Sequence, residues 1–320
     1  MTSLIIDTDP GIDDAFAIAL ACASPEVDLL AVTTVFGNAG LDTTTRNALR
    51  VLALCGREDV PVARGADRPL IYPQPHEAET VHGTDGLSGR AHTLPGSDRS
   101  PVELDAVALM AELLMAATEP VTIVPIGPLT NIAALLAAYP SLRGKIERLV
   151  IMGGALAGGN TTAVAEFNIW SDPEAARRVL VEERLPTVLV PIELTFGCRV
   201  DRSWLNRLES AGPLGATLVG LTADYVAHYT KFFGEECTVL HDAVAVAEAI
   251  RPGLLRTTSY PVEVDCAFGP SRGALVADRR APDIIATFGS TLARSVDVAT
   301  DTDVAELHDL LLTRLAGSTG

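Results

Sequence analysis

Leu4-Ile5-Ile6-Asp7-Thr8-Asp9-Pro10-Gly11-Ile12-Asp13-Asp14 joins a short apolar run to a helical pattern through four carboxylates, and this order decides the fold. Residues 4–6 read as a buried strand, and 12–23 carry the apolar spacing of a helix. A strand that passes through a tight Pro-Gly turn into a helix opens a βα unit. The same alternation continues along the chain. Strands are predicted at 29–35, 121–125, 148–152 and 187–190, and helices at 44–54, 104–117 and 129–138. Asp172 as N-cap and Pro173 at the first helical position announce a further helix over 173–183. The expected architecture is α/β: one domain over 1–320, with an open, mainly parallel, Rossmann-like sheet flanked by helices.

Composition agrees with that class. Apolar residues make up 48% of the chain and aromatics only 5%, so the core is built from Ala, Val, Leu and Ile. With 24 basic and 41 acidic residues the formal charge is −17, which opposes any polyanion and removes the counterion-release contribution to nucleic-acid binding. A nucleic acid or an acidic membrane is not an expected partner. No run approaches the roughly 18 apolar residues of a membrane span, and residues 1–6 carry no basic segment of a secretory signal. Cys22, Cys55, Cys198, Cys237 and Cys266 are odd in number and widely spaced, which argues against a disulfide framework or a zinc site and for a reducing cytoplasm.

Two segments break the pattern. Residues 66–100 are rich in Pro, Gly, His and charge, and 225–240 gather Tyr225, His228, Tyr229, Phe232 and Phe233 in a chain poor in aromatics. Both are expected to be irregular and mobile, closing over a flat ligand.

The chemistry concentrates at the first strand end, where open α/β sheets place their ligand crevice. Asp7, Asp9, Asp13 and Asp14 fall within eight residues. Two carboxylates about 4 Å apart repel by roughly 4 kcal/mol at an effective dielectric of about 20, so four together call for a cation. With only oxygen donors on offer, that cation is hard, Ca²⁺ or Mg²⁺. The competing reading has Asp13 and Asp14 complementing the helix N-terminus while Asp7 and Asp9 face solvent. An EF-hand lacks its closing Glu, and a haloacid-dehalogenase-type phosphatase, which also opens with strand-Asp-x-Asp, has Thr or Val where Gly11 stands.

Further motifs follow at strand ends: Val35-Phe36-Gly37-Asn38, Val124-Pro125-Ile126-Gly127-Pro128-Leu129-Thr130-Asn131, Met152-Gly153-Gly154, Gly159-Asn160, Ala165-Glu166-Phe167-Asn168 and His241-Asp242. With the opening octet they resemble the inosine-uridine-preferring nucleoside hydrolases, in that family's order, from Ile5 to about Ala247. The resemblance implies hydrolysis of the bond between ribose and base in ribonucleosides. It implies Ca²⁺ held by Asp9, Asp14, Asp242 and the backbone carbonyl of Ile126, and a homodimer or homotetramer. Asp13, Asn38, Asn160, Glu166 and Asn168 match ribose-binding positions. His82 matches a position near the base, and His241 the acid that protonates the leaving base. Asn38 and Asn160 follow glycines and read equally well as turn residues. Glu166 and Asn168 alternate along what reads as an extended stretch and so are expected to face one side. Asp9 is expected to act as general base on the attacking water, because Ca²⁺ acidifies water less than Zn²⁺ does. His241, with an ordinary value near 6.5, is expected to be protonated or to donate through a network. A calcium- or nucleoside-binding module without catalysis is the other class on this scaffold, and binding alone does not require both Asp9 and His241.

Overall fold

Why the first strand is buried on both faces is visible in its alternation. Leu4 and Ile6 pack into one apolar core with Phe16 and Ile18, while Ile5 packs into a second core on the other side. A strand covered by helices on both faces reads as a continuous apolar run. The computed structural model describes residues 1–72, 79–290, 292 and 294–317. Its strands are β1 (Thr2–Thr8), β2 (Val27–Thr34), β3 (Val62–Arg64), β4 (Val121–Pro125), β5 (Ile146–Met152), β6 (Thr187–Val190), β7 (Val200–Asp201), β8 (Cys237–Thr238), β9 (Leu255–Val264), β10 (Leu275–Ala277) and β11 (Arg294–Thr302).

Nine strands form one sheet in the order β10-β9-β11-β6-β5-β4-β1-β2-β3, and β7 pairs with β8 apart from it. From β3 to β11 every pairing is parallel. Only β9 runs against its neighbours β10 and β11. The expected open, mainly parallel α/β sheet is thus the observed one. Helices Ile12–Cys22 and His241–Ile250 contribute to the first core, and Ala106–Ala116 and Thr130–Ala138 to the second.

The chain leaves β1 toward β2 and β3 on one side and returns to β4 on the other. That reversal opens a crevice at the carboxyl end of β1, where the Asp7–Asp14 turn lies.

Several elements differ from expectation. The 173–183 helix is α-helical only over Pro173–Arg177 and widens into a π turn over Arg178–Glu182, closed by Glu183 N donating to Arg178 O at 3.0 Å. Most of 225–240 is regular: helix Ala223–Phe233 takes it as far as Phe233, capped by Gly234 in the left-handed region at φ +76, because the aromatics recur at helical spacing and bury Tyr225 and Tyr229, and β8 follows at Cys237–Thr238. Within 66–100, Glu79–His82 forms one helical turn and Ala91–Thr93 a 3₁₀ turn, and residues 73–78 lie outside the described residues. The chain beyond Arg251 supplies β9, β10 and β11, which no motif announces. Among the described residues no helix is long and apolar enough to cross a membrane, and all five cysteines are free.

Phe16 is fully buried on the helix that leads out of the acidic turn. Replacing it with Ala is expected to cost about 3–5 kcal/mol of stability in denaturant titrations. A loss under about 1 kcal/mol would mean that this helix is not anchored by the core.

Candidate active site

Pro10-Gly11 turns the chain sharply after β1, and Gly11 becomes the N-cap of helix Ile12–Cys22. Asp9 and Asp14 have no exposed surface, and Asp13 and Asp242 have almost none. Asp9 Oδ2 accepts from the backbone N–H of Asn38 at 2.7 Å, whereas its Oδ1 is buried without a partner. Two glycines make room for that carboxylate. A Cβ on Gly37 would lie 2.0 Å from Asp9 Oδ2, and one on Gly127 would lie 2.5 Å from Oδ1. Asp14 accepts from Thr8 Oγ1 at 2.5 Å, from Gly11 N at 2.8 Å and from Asn38 Nδ2 at 3.1 Å. Asp242 arrives from the first turn of helix His241–Ile250. One carboxylate oxygen each from Asp13, Asp14 and Asp242 lies within 4.8 Å of the others.

Asp7 is not part of this set. Its side chain turns into the sheet, where Oδ1 accepts from Thr33 Oγ1 at 2.5 Å and Asn131 Nδ2 at 2.8 Å. Asp242, which the resemblance already names, groups with Asp13 and Asp14, and the charge of Asp9 acts on it from beside them, whereas Asp7 stays out. The alternative with Asp9 in solvent fails on its burial, although Asp14 does cap the helix as that reading held.

Burial sets the electrostatics. Desolvation, then the charge of Asp14, pushes Asp13 up to about 8. Desolvation, then Asp14, raises Asp9 well above the usual carboxylate range, and desolvation, then Asp13, Asp14 and Asp9, does the same to Asp242. Asp14 is raised by burial as well, and it faces Asp242 closely enough to share a proton. Without a cation the cluster is relieved only by protons. The unpaired Asp9 oxygen, the all-oxygen donor set and the glycine cradle fit a hard metal ion.

The other side of the pocket carries amides. Asn168 Nδ2 donates to the carbonyls of Ile126 at 2.9 Å and Met152 at 3.2 Å. Glu166 and Asn168 do not lie on an extended stretch. Glu166 is the N-cap of helix Phe167–Ser171, and its carboxylate accepts from Gly154 N, Asn168 N and Ile169 N at 2.8–3.1 Å. Competition from these orphan N–H groups is what bends the stretch into a helix. Both residues still line the same cavity of about 240 Å³, together with Asp13, Asn38 and Asp242. Asn160 stands exposed at its rim, with Oδ1 accepting from Phe167 N at 3.0 Å.

At the remaining wall His82 Nδ1 accepts from Ile12 N at 3.2 Å. His241 Nδ1 lies 2.6 Å from Thr195 Oγ1 and its Nε2 lies 2.6 Å from the Tyr229 hydroxyl. Burial pushes both His82 and His241 down to about 3. Burial thus favours the neutral ring at His241, so of the two expected routes, a protonated ring or donation through a network, the second suits this environment. Tyr225 hydrogen-bonds Asp13, and burial holds Tyr225 and Tyr229 in the protonated form. Thr195 carries no motif and was invisible in the sequence. The i, i+4 spacing of Tyr225 and Tyr229 was the signal that places both on one helix face.

Comparison with known proteins gives the class and then the family. A solved plant nucleoside hydrolase superposes with a TM-score of 0.91 at 32% identity, covering 98% of this chain and 99% of that one. A purine-preferring ribonucleoside hydrolase from Gardnerella vaginalis gives 0.87 at 30% identity, covering 98% of each. The fold is that of the nucleoside hydrolases, enzymes that cleave N-glycosidic bonds. The family model described as inosine-uridine preferring nucleoside hydrolase matches residues 4–309, and the chain belongs to that family. The pyrimidine-specific ribonucleoside hydrolase RihA of Citrobacter koseri is 40% identical over 315 residues, 98% of this chain and 97% of that one. The likeness thus extends past Ala247 through the C-terminal strands.

The raised carboxylates give a pH test. Between the ordinary value of 3.8 and the folded values of about 7 for Asp7 and about 8 for Asp13, the folded chain binds more protons than the unfolded one. Stability is then lost as pH rises. The melting temperature of chelator-treated protein is expected to fall from about pH 5 to about pH 8, and a saturating divalent cation to flatten that slope. A metal-free melting temperature that climbs through this window would contradict the charge assignment.

Proposed function

We propose that this chain hydrolyses the N-glycosidic bond of pyrimidine ribonucleosides to ribose and free base, with Ca²⁺ in the carboxylate cluster. The observation that carries this reading is the convergence, on one cavity of about 240 Å³, of buried acids, ribose-sized amide donors and the His82 and His241 wall. The pyrimidine preference is supported by the 40% identical relative, which bears that specificity in its name.

Asp9, Asp14, Asp242 and the Ile126 carbonyl would hold the ion. When bound, it would supply positive charge that acidifies a water and engages ribose hydroxyls. Asp9 takes the proton of the attacking water: Asn38 N–H fixes one of its oxygens and leaves the other free. Asp13, Asn38, Asn160, Glu166 and Asn168 grip the ribose hydroxyls by charge-assisted and amide hydrogen bonds. Cleavage drives negative charge onto the base. His241 answers it through the Thr195–His241–Tyr229 chain, whose tyrosine stays protonated and lines the cavity. His82 approaches the base from the opposite loop. Phe232, 61% exposed beside the same cavity, supports closure of the Ala223–Phe233 helix over the base. The reading includes a cytoplasmic homodimer or homotetramer, with exposed Ile71 and Phe268 available to a second copy.

Reducing-sugar release from uridine is expected, to stop with chelator and to return with Ca²⁺. Asp9→Ala is expected to lower kcat at least about 10³-fold. Phosphate release from sugar phosphates without cleavage of uridine would replace this function with a phosphatase.

A second test uses the sugar. A site built to bind hydroxyls leaves its polar groups unpaired when one is missing, so kcat/KM for 2′-deoxyuridine is expected to fall at least about 100-fold below that for uridine. Comparable values would remove the ribose grip assigned to Asp13 and Asn168.

A further inference from the structure

The acidic turn and the His82 loop are far apart in sequence, yet they meet through one side chain that the mechanism above does not use. Asn47 is buried on helix Leu41–Leu54, 1% exposed. Its Nδ2 donates both hydrogens, one to the Pro10 carbonyl at 3.1 Å and one to the Asp85 carbonyl at 2.9 Å. Pro10 belongs to the turn between Asp9 and Asp13, and Asp85 lies three residues beyond His82.

The loop on the far side is itself organised around Asp85. Its Oδ1 accepts from Leu87 N at 2.9 Å and Gly89 N at 2.8 Å, and its Oδ2 accepts from Ala91 N at 2.9 Å. Ser88 N closes back on the His82 carbonyl at 2.7 Å. Gly86, in the left-handed region at φ +75, lets the loop approach: a Cβ there would stand 3.0 Å from Asn47 Nδ2 and 3.2 Å from the Pro10 carbonyl. A second tie, Ile12 N donating to His82 Nδ1, joins the same two segments nearer the pocket.

We propose that Asn47 is a positioning residue that fixes the His82 loop against the acidic turn, so that the base end and the ribose end of the pocket are held in one register. The chemistry selects Asn. Bridging two carbonyl oxygens takes a group with two donors on a short stem. Asp has the same shape but sets oxygen against oxygen at both contacts, and Ala leaves two buried carbonyls without their donor. The consequence for catalysis rests on the nucleoside reading, because His82 acts on the base.

Kinetics on two substrates and hydrogen exchange test the idea together. Asn47→Asp and Asn47→Ala are each expected to lower kcat/KM for uridine by about tenfold more than for 4-nitrophenyl riboside, whose leaving group needs little help. The isosteric Asp variant is expected to be at least as impaired as Ala, the reverse of what a packing role gives. Amides of 83–91 are expected to exchange faster while those of β4 and β5 do not change. Asp85→Ala, at a partly exposed position that spares the core, is expected to reproduce the substrate split if the Asn47 variants do not fold. Equal losses on both substrates, a milder Asp than Ala variant, unchanged exchange over 83–91, or a foldable Asp85→Ala with no split would each overturn the proposal. A wild-type chain that fails to cleave uridine would instead sink the nucleoside reading, and the exchange comparison would still decide whether Asn47 orders the loop.

Discussion

Four carboxylates buried at one end of β1 repel one another, and much of the surrounding structure is explained by how that repulsion is contained. Two unit charges about 4 Å apart repel by on the order of 4 kcal/mol even at an effective dielectric of about 20. The chain answers with donors: Asn38 reaches Asp9 with its backbone and Asp14 with its side chain, and Thr8 and Gly11 serve Asp14. Asp9 Oδ1, and Asp7 Oδ2 in the sheet beneath, are left without a donor among the described residues. A cluster that is expensive alone and fits a hard cation is a site whose stability and chemistry are tied together.

The parallel sheet is what allows this concentration. Strands covered on both faces point their carboxyl ends into one crevice, so Asp9 after β1, Asn38 after β2, Ile126 after β4 and Met152 at the end of β5 become neighbours without any being adjacent in sequence. Gly37 and Gly127 let the backbone pass close to the Asp9 carboxylate. Helix N-termini do the rest: Asp13, Asp14 and Asp242 all lie in first turns, where the dipole favours negative charge.

The opposite wall follows the same rule of burial with the sign reversed. A water-poor environment raises the acids, keeps the tyrosines protonated and keeps His82 and His241 neutral. His241 then meets its surroundings through the hydrogen bonds to Thr195 and Tyr229 rather than as a cation.

The order of apolar runs, Pro-Gly turns and N-cap residues determined the α/β class and the strands Val121–Pro125 and Thr187–Val190 to the residue, because those signals are local. The density of acids after β1 announced a carboxylate cluster that could hold a metal ion for the same reason. Tertiary structure alone decided which acids meet: Asp7 is turned away by Thr33 and Asn131, and Asp242 is carried in from a helix more than two hundred residues later. It also turned Glu166 into a helix cap. And by enclosing His241 it favours the neutral ring over the protonated one. Burial and hydrogen-bond competition depend on neighbours that the chain brings together only when the sheet has formed, and no local pattern encodes them.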